Sequence, residues 1–265
     1  MPDLTAPRAA APGSPARVLT HSLVMAARCT RLSARNTDAL LTSLILPVML
    51  MLVFVYFFGG AIDTGTRYVT YIVPGVLVLC AGYGAAATAV GVAGDMAEGV
   101  VDCFRSLDVG GTSLMAGHVA ASAARNAAAT GVVLAVALAI GFRPEAGPAG
   151  WAAAAGVLAA YVLALSWLSA AVGLLAKSTE AASGFTFLVL FLPYPSSAFV
   201  LVDTMPGWLH GFAGNQPVTP VIESLRGLLL GQPVGGALWQ ALAWCAGILT
   251  VSVAASGMLF RRRTA

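Results

Sequence analysis

Long apolar stretches alternate with short polar ones along most of the chain. Six of the apolar stretches are long enough to cross a bilayer, whose core needs roughly 20 apolar residues in helical form. We therefore predict an all-α integral membrane protein with six transmembrane helices within residues 39–260. The predicted spans are about Ala39–Gly60, Val69–Ala93, His118–Phe142, Trp151–Ala176, Ala181–Val202 and Ala237–Phe260.

Two details of the pattern concern the helices themselves. Pro47 predicts a kink in the first span. Gly84, Thr88 and Gly91 share one face of the second span. Small residues on one face favour close packing against another helix over exposure to lipid.

The chain before the first span has two parts. Residues 1–16 are rich in Ala and Pro and lack the apolar segment of a signal peptide, which predicts a disordered tail. Residues 17–38 place their basic side chains on one helical face. This pattern favours an amphipathic helix at the membrane interface, held by anionic lipids, with a solvated basic helix as the alternative. The basic residues are Arg17, His21, Arg28, Arg31 and Arg35.

A charged stretch separates the second and third spans. At helical pitch, Glu98, Asp102 and Arg105 fall on one side, and Phe104 and Leu107 fall on the other. The stretch is too short and too charged to cross a bilayer. We predict an amphipathic helix over about residues 95–112 at the membrane surface, ending at Gly110–Gly111. It either joins two spans as a plain hairpin or serves as a docking surface for a soluble partner.

A second polar connection, at about residues 204–231, contains two short helical patterns. Thr219 and Pro220 predict the start of the second helix and Gly231 its end. Glu223 and Arg226 lie three residues apart, opposite an apolar face. We predict two short helices that dip into the outer leaflet or pack over the spans; the alternative is an extracellular cap with no role in transport. The apolar face consists of Val221, Ile222, Leu225, Leu228 and Leu229.

Composition and charge placement support a membrane protein and orient it. The chain is 58% hydrophobic and 9% charged, with a mean hydropathy of +0.86, whereas soluble domains carry roughly 25% charged residues. Placing both termini, the basic 261–265 tail and the 95–112 segment in the cytoplasm leaves only Arg67, Arg143 and Arg226 outside, as the positive-inside rule requires. No basic patch interleaved with aromatic residues indicates a nucleic-acid partner.

The sequence offers no catalytic or metal site. Lys177 is the one lysine, and it lacks the glycines of a phosphate-binding loop. The histidines and cysteines do not have metal-ligand spacing. Arg125 and Asn126 lie about two turns into the third span, where the arginine either snorkels to the surface or faces a polar path between helices. We expect no enzyme activity and no cofactor on this chain.

Three motifs in order resemble one family. The first is Gly99-Val100-Val101-Asp102-Cys103-Phe104-Arg105-Ser106-Leu107. The second is Arg125-Asn126 with Gly141-Phe142-Arg143. The third is Val202-Asp203-Thr204-Met205-Pro206-Gly207-Trp208-Leu209, followed by Gln216-Pro217-Val218-Thr219-Pro220, Glu223, Leu225-Arg226 and Gly231. Together they resemble the permease subunits of type-2 ABC exporters, in particular the daunorubicin-resistance (DrrB-like) group.

The resemblance implies a working unit of two permease chains, identical or homologous, and two copies of a cytosolic ABC ATPase that binds ATP and Mg. It implies a multi-pass protein of the bacterial plasma membrane that exports a hydrophobic drug or antibiotic-like compound. The cytoplasmic segment becomes a coupling helix, with Glu98, Gly99, Asp102, Phe104, Arg105 and Leu107 as its docking residues. The outer segment becomes a pair of re-entrant helices that includes Pro206, Trp208, Pro217, Pro220, Glu223 and Arg226.

Alternatives remain open at this point. The same architecture would export a cell-envelope lipid or glycolipid. An ion-coupled carrier and a membrane-embedded enzyme are less favoured, because we find no acidic or clustered polar groups at membrane depth. The chain also departs from the family pattern at Cys103, Asp108 and Gly110–Gly111, which leaves the docking geometry and the identity of the ATPase open.

Overall fold

A computed structural model of the chain describes residues 26–27, 29–31, 37–99 and 111–264. This part of the chain is helical and contains no strand. A π-helical turn at Phe54–Phe58 continues the helix Thr37–Val53, and a short 3₁₀ turn at Val202–Thr204 precedes the helix Gly207–Asn215. The helices are α1 (Thr37–Val53), α2 (Tyr68–Ala97), α3 (Gly111–Ala139), α4 (Pro148–Leu175), α5 (Thr179–Phe191), α6 (Gly207–Asn215), α7 (Val218–Leu229) and α8 (Ala237–Thr264).

Four helices in the described residues are long and apolar enough to cross a membrane. They are Tyr68–Ala97, Met115–Ala139, Pro148–Leu175 and Ala237–Leu259, and they confirm the predicted second, third, fourth and sixth spans as helices. Two shorter apolar helices, Leu44–Phe58 and Thr179–Phe191, lie where the first and fifth spans were predicted. The chain is therefore an all-helical integral membrane protein with at least these four long hydrophobic helices.

The fifth predicted span is shorter than expected. A continuous helix to Val202 is wrong, because α5 ends at Phe191 and residues 192–199 form successive turns. Pro193 and Pro195 explain the difference, since proline has no N–H to continue a helix and disfavours helical geometry in the residue before it. We call residues 193–199 the 193–199 turn.

Helix α2 lies at the centre of the bundle. The apolar 18-residue segment of α2 is 78% buried within the protein, whereas the corresponding segment of α8 is 17% buried. Glycines let its neighbours approach closely: a Cβ at Gly75 would lie 2.8 Å from the Ala198 Cα, and one at Gly84 would meet the Asn126 side chain. Thr88 is buried, so the predicted close packing is confirmed at Gly84 and Thr88, whereas Gly91 is exposed and in ordinary contact with the His118 ring.

The two ends of α2 define two ends of the bundle, which we call the Tyr68 end and the Asp95 end. Helix α3 runs antiparallel to α2, since His118 contacts Asp95 and Gly141 lies beside Arg67. Helix α5 begins at the Asp95 end, where Thr179 approaches Gly94. The 193–199 turn lies at the Tyr68 end.

The two short helices predicted within residues 204–231 are present as α6 and α7. The boundary of α7 differs, because it begins at Val218 with Pro217 as N-cap, and Pro220 lies inside it. Thr219 does not cap the helix; its hydroxyl donates to the Ala213 carbonyl. The helix ends before Gly231, whose φ of +65° suits glycine. The predicted apolar face packs into the core, with Val221, Ile222, Leu225 and Leu229 buried.

The predicted helix at residues 95–112 is corrected at both edges. Asp95 belongs to α2, which continues through Ala97 because nothing in the sequence stops it before Gly99, where φ is +69°. Gly111 begins α3 and does not end a preceding helix. Residues 100–110, the 1–16 tail and most of the predicted 17–38 helix lie outside the described residues.

We predict that Gly75→Ala destabilises the protein by about 1–3 kcal/mol, the usual cost of overpacking. The added methyl group would collide with the backbone of Ala198, which cannot move away as a flexible side chain can. The melting temperature of the detergent-purified protein measures the effect. Gly156→Ala in α4 is the matched control, because a Cβ there meets nothing within 4 Å. Equal melting temperatures for the two variants would contradict the packing described here.

Candidate functional site

A buried arginine organises the Tyr68 end of the bundle. Arg226 of α7 is 9% exposed, and its guanidinium carbon lies 3.9 Å from the centroid of the Tyr71 ring. Nη1 donates to a Glu223 carboxylate oxygen at 2.7 Å. Nη2 donates to the Ser197 carbonyl at 2.7 Å and to the Tyr71 carbonyl at 3.3 Å. The charge is therefore paired, hydrogen-bonded and stacked on an aromatic face, which is what a buried guanidinium requires.

The same cluster supplies donors to the 193–199 turn. The Tyr71 hydroxyl donates to the Ser197 carbonyl and the Tyr68 hydroxyl to the Phe199 carbonyl, each at 2.9 Å. Gln216 donates to the Pro195 carbonyl. Carbonyls that leave a helix inside a membrane need other donors, because lipid offers none. We call Tyr68, Tyr71, Glu223, Arg226 and the turn they hold the Arg226 cluster.

Aromatic rings extend this cluster toward α1. The Phe54 ring stacks on the Phe199 ring with centroids 4.5 Å apart, and Phe199 stacks on Tyr194 at 5.1 Å. Phe54 belongs to the π-helical turn that ends the first apolar helix. The turn is thus packed between α1 and α2 as well as hydrogen-bonded to α7.

The structure separates the residues predicted for the outer segment into two groups. Pro217, Pro220, Glu223 and Arg226 lie at or within α7, and the last two form the ion pair that their spacing allowed. Pro206 is the N-cap of α6. Trp208, also in α6, is 82% exposed and takes no part in the buried cluster.

Arg125 and Asn126 lie among the central helices. Arg125 donates from Nη2 to the Gly84 carbonyl of α2 at 2.9 Å. Asn126 is 2% exposed, and its amide donates to the Ser122 carbonyl at 3.0 Å. The Ser122 hydroxyl lies 2.8 Å from that of Ser166 in α4. This row of polar groups joins α2, α3 and α4 inside an otherwise apolar core.

At the Asp95 end, only part of the predicted docking set is described. Glu98 is the exposed C-cap of α2 and Gly99 follows it with a positive φ. Asp102, Phe104, Arg105 and Leu107 lie outside the described residues. Asp95 and His118 form a contact of 2.9 Å between carboxylate and imidazole just behind this segment.

The described residues hold no group of three or more His, Cys, Asp or Glu that could bind a metal ion. The polar chemistry they present consists of internal hydrogen bonds and ion pairs that hold helices together. Such an arrangement can position helices and move with them, and we see no nucleophile paired with a base in it.

Sequence reasoning identified Glu223 as a neighbour of Arg226 and missed its other partners. Tyr68 and Tyr71 begin the second span, where aromatic residues are common at a membrane interface and carry no special signal. The acceptors at Ser197 and Phe199 are backbone carbonyls, which any residue would supply. The only available hint was the pair of prolines at 193 and 195, which announces a break in the helix but not its partners.

The ABC-2 type transporter family matches residues 20–230 of the chain, which include α1 through α7. The chain belongs to the ABC-2 type transporter family. Among curated members of this kind, it is 29% identical over 228 residues to the daunorubicin resistance ABC transporter permease protein DrrB1 of Streptomyces coeruleorubidus, covering 85% of this chain and 81% of that protein. The resemblance to the DrrB-like permeases is confirmed.

The chain is also similar to the probable doxorubicin resistance ABC transporter permease protein DrrC of Mycobacterium tuberculosis, in the strains CDC 1551 / Oshkosh and ATCC 25618 / H37Rv. Identity is 25% over 234 residues, covering 86% of this chain and 84% of the relative. The Arg226 cluster and the Asp95–His118 contact both lie within the part of this ABC-2 chain that the family covers.

We predict that Arg226→Gln destabilises this ABC-2 chain by about 2–3 kcal/mol, within the range for loss of hydrogen bonds made by a charged group. The variant removes the donor to the Tyr71 carbonyl and one of the two donors to the Ser197 carbonyl, and it leaves Glu223 without its ion pair. Glu223→Gln should cost less, about 1 kcal/mol, because the Glu223 side chain is 41% exposed. The melting temperature in detergent reports both effects.

Arg143→Gln is the control for this prediction. Arg143 lies at the same end of the bundle and is exposed, and its Nη1 donates to the Leu138 and Phe142 carbonyls of its own segment. Its loss should change the melting temperature little. A loss of stability as large as that of Arg226→Gln would show that removing any arginine here has the same effect.

Proposed function

We propose that the chain is the membrane permease subunit of an ATP-binding cassette exporter for hydrophobic, drug-like or antibiotic-like compounds. The observation that carries the proposal is the family match over residues 20–230 together with relatives whose names describe drug-resistance permeases. The chain itself hydrolyses nothing: ATP and Mg bind to a separate cytosolic ATPase. The helical bundle with its internal polar contacts suits a part that is moved by another subunit.

Six membrane crossings are part of this proposal. Helix α5 supplies roughly 20 Å of helix from its 13 residues, which alone is too short for a bilayer core of roughly 30 Å. The chain nevertheless passes from Thr179 beside Gly94 to Ala198 beside Gly75, and so follows α2 along most of its length. Helix α5 and the 193–199 turn together would make the fifth crossing, and α1 with its π-helical turn the first.

The proposed orientation puts the Asp95 end and both termini in the cytoplasm of a bacterial cell. This placement leaves Arg67 and Arg143 at the outer surface and most other basic residues inside. The short helices α6 and α7 then lie on the outer side as the re-entrant pair. Since α7 is buried against α2, α4 and α8, we assign it a role in the bundle and α6, with its exposed Trp208, the contact with lipid.

Energy enters through the segment that follows α2. We propose that residues 98–107 dock on the ATPase, with Glu98, Gly99, Asp102 and Arg105 as polar contacts and Phe104 and Leu107 as apolar ones. Two ATPases and a second permease chain, identical or homologous, complete the unit. Closure of the ATPases on nucleotide would move the docked segments, as rigid-body switches do in other proteins.

We propose that Arg125 and Asn126 line part of the path that substrate takes through the bundle. The side-chain amide oxygen of Asn126, Oδ1, is buried and makes no hydrogen bond within the described residues. An acceptor without a donor is costly in an apolar interior. It would be satisfied if substrate or water reached it when α2, α3 and α4 move apart.

We predict ATP-dependent uphill transport of daunorubicin by the chain reconstituted in vesicles with its partner ATPase. Uptake into inside-out vesicles should require hydrolysable ATP and should persist when an ionophore collapses the proton gradient. Fluorescence of the drug in the vesicle lumen measures it. Vesicles containing the ATPase alone are the control.

Three results would contradict that proposal. Uphill movement without nucleotide would indicate an ion-coupled carrier. Movement of a fluorescent phospholipid or glycolipid but of no drug would indicate envelope lipid export by the same architecture. Release of a chemically altered product would indicate an enzyme.

We predict that Arg105→Glu and Phe104→Ala each weaken association with the ATPase without affecting insertion in the membrane. The first reverses the charge of a docking contact and the second removes apolar contact area, for which we expect roughly tenfold less ATPase retained, or about 1.4 kcal/mol. Co-purification from membranes measures the loss. Unchanged retention in both variants would show that the ATPase binds elsewhere on the chain.

A further inference from the structure

Asp95 and His118 join α2 and α3 where the chain leaves the bundle toward the proposed ATPase contact. The carboxylate Oδ2 and the imidazole Nε2 are 2.9 Å apart. Asp95 lies two residues before the end of α2 at Ala97, and His118 lies in the second turn of α3. The contact therefore joins the two helices that flank the segment with the proposed docking residues.

The surroundings of the pair favour a strong contact. The Asp95 and His118 side chains are 14% and 12% exposed, so solvent screens them far less than a surface pair. The His118 ring lies over Gly91, 3.6 Å from where a Cβ would stand. A Cβ there would be in ordinary van der Waals contact with the ring.

An apolar contact also joins the end of α2 to α3, because Val92 and Met115 share a buried cluster against which Met96 packs. Gly91 and Gly94 lie in the last two turns of α2, and Gly99 follows its end. Glycine weakens a helix and has no side chain to pack. Gly99 then leaves the helical conformation with a φ of +69°. A helix end of this kind would bend under force unless something ties it to its neighbour.

We propose that Asp95 and His118 are positioning residues that make α2 and α3 move together when the docked segment moves. The proposal rests on the proposed function, since it assumes that an ATPase moves the 98–107 segment. Neither residue touches substrate or ATP. Through their contact, movement of the docked segment would displace both α2 and α3, the helix that bears Arg125 and Asn126.

The test compares the amount of daunorubicin moved per ATP hydrolysed in reconstituted complexes of the full chain with its ATPase. In Asp95→Leu and His118→Leu we expect that ratio to fall about fivefold, within the range that substitutions along a coupling network produce. Retention of the ATPase should stay unchanged, because the docking residues are intact. The double variant should be no worse than Asp95→Leu alone, since Asp95→Leu already removes the contact with His118.

Exchange of the two residues gives a second test, which still applies if the leucine variants misfold. In Asp95→His combined with His118→Asp, the pair can re-form, and we expect the ratio to recover at least half of its wild-type value. Glu180→Gln is the control for loss of an acidic group at the same end of the bundle. Glu180 is exposed, so its replacement should leave the ratio unchanged.

The outcomes separate the two proposals. Wild-type complexes that move no drug with ATP overturn the proposed function and this inference with it. Wild-type complexes that move drug, with ratios unchanged in both leucine variants, overturn this inference alone. A lowered ratio that the exchanged pair restores, with equal ATPase retention throughout, is the result that the geometry predicts.

Discussion

A break in a helix inside a membrane leaves backbone carbonyls without donors, and lipid cannot supply them. In this protein, the cost of the break after Phe191 is met by side chains from two other helices. Arg226 and Tyr71 both donate to the Ser197 carbonyl, and Tyr68 donates to the Phe199 carbonyl. Burial of the charged Arg226 guanidinium is costly unless these carbonyls and Glu223 pair with it, so the stabilisation is mutual. The position of α7, the shape of the 193–199 turn and the start of α2 are fixed together by this exchange.

Helix α2 connects that cluster to the other end of the molecule. At its start it carries Tyr68 and Tyr71, and near its end it carries Asp95, which is bonded to His118. Between them, Gly84 receives Asn126 and its carbonyl accepts from Arg125. In the proposed mechanism, α2 would move as one body because polar contacts hold it at both ends and small residues let it pack closely in the middle. This arrangement would carry a displacement at the proposed ATPase contact to the side of the membrane where α7 closes the bundle.

The hydrophobic pattern was enough to predict an all-helical membrane protein and the existence and approximate position of four long helices, because length and apolarity decide both. It also predicted α7, since turn residues flank this helix and its apolar residues share one face. It failed where local rules compete: Pro193 and Pro195 ended α5 inside an apolar run, and α2 continued through charged Asp95 because no residue stopped it before Gly99. The Arg226 cluster could be predicted only in part. The spacing of Glu223 and Arg226 is local, whereas Tyr71 and Ser197 are far away in sequence; both contribute backbone carbonyls, and Tyr71 also contributes its ring and hydroxyl.

The central claim is that a separate cytosolic motor acts on the Asp95 end of a membrane conduit, so the side of the membrane on which that end lies tests it most directly. In a chain whose four cysteines are replaced, Glu98→Cys and Thr66→Cys place single thiols at exposed positions at opposite ends of α2. A membrane-impermeant maleimide should label Thr66→Cys in intact cells and Glu98→Cys only after permeabilisation. Labelling of Glu98→Cys in intact cells would contradict the account.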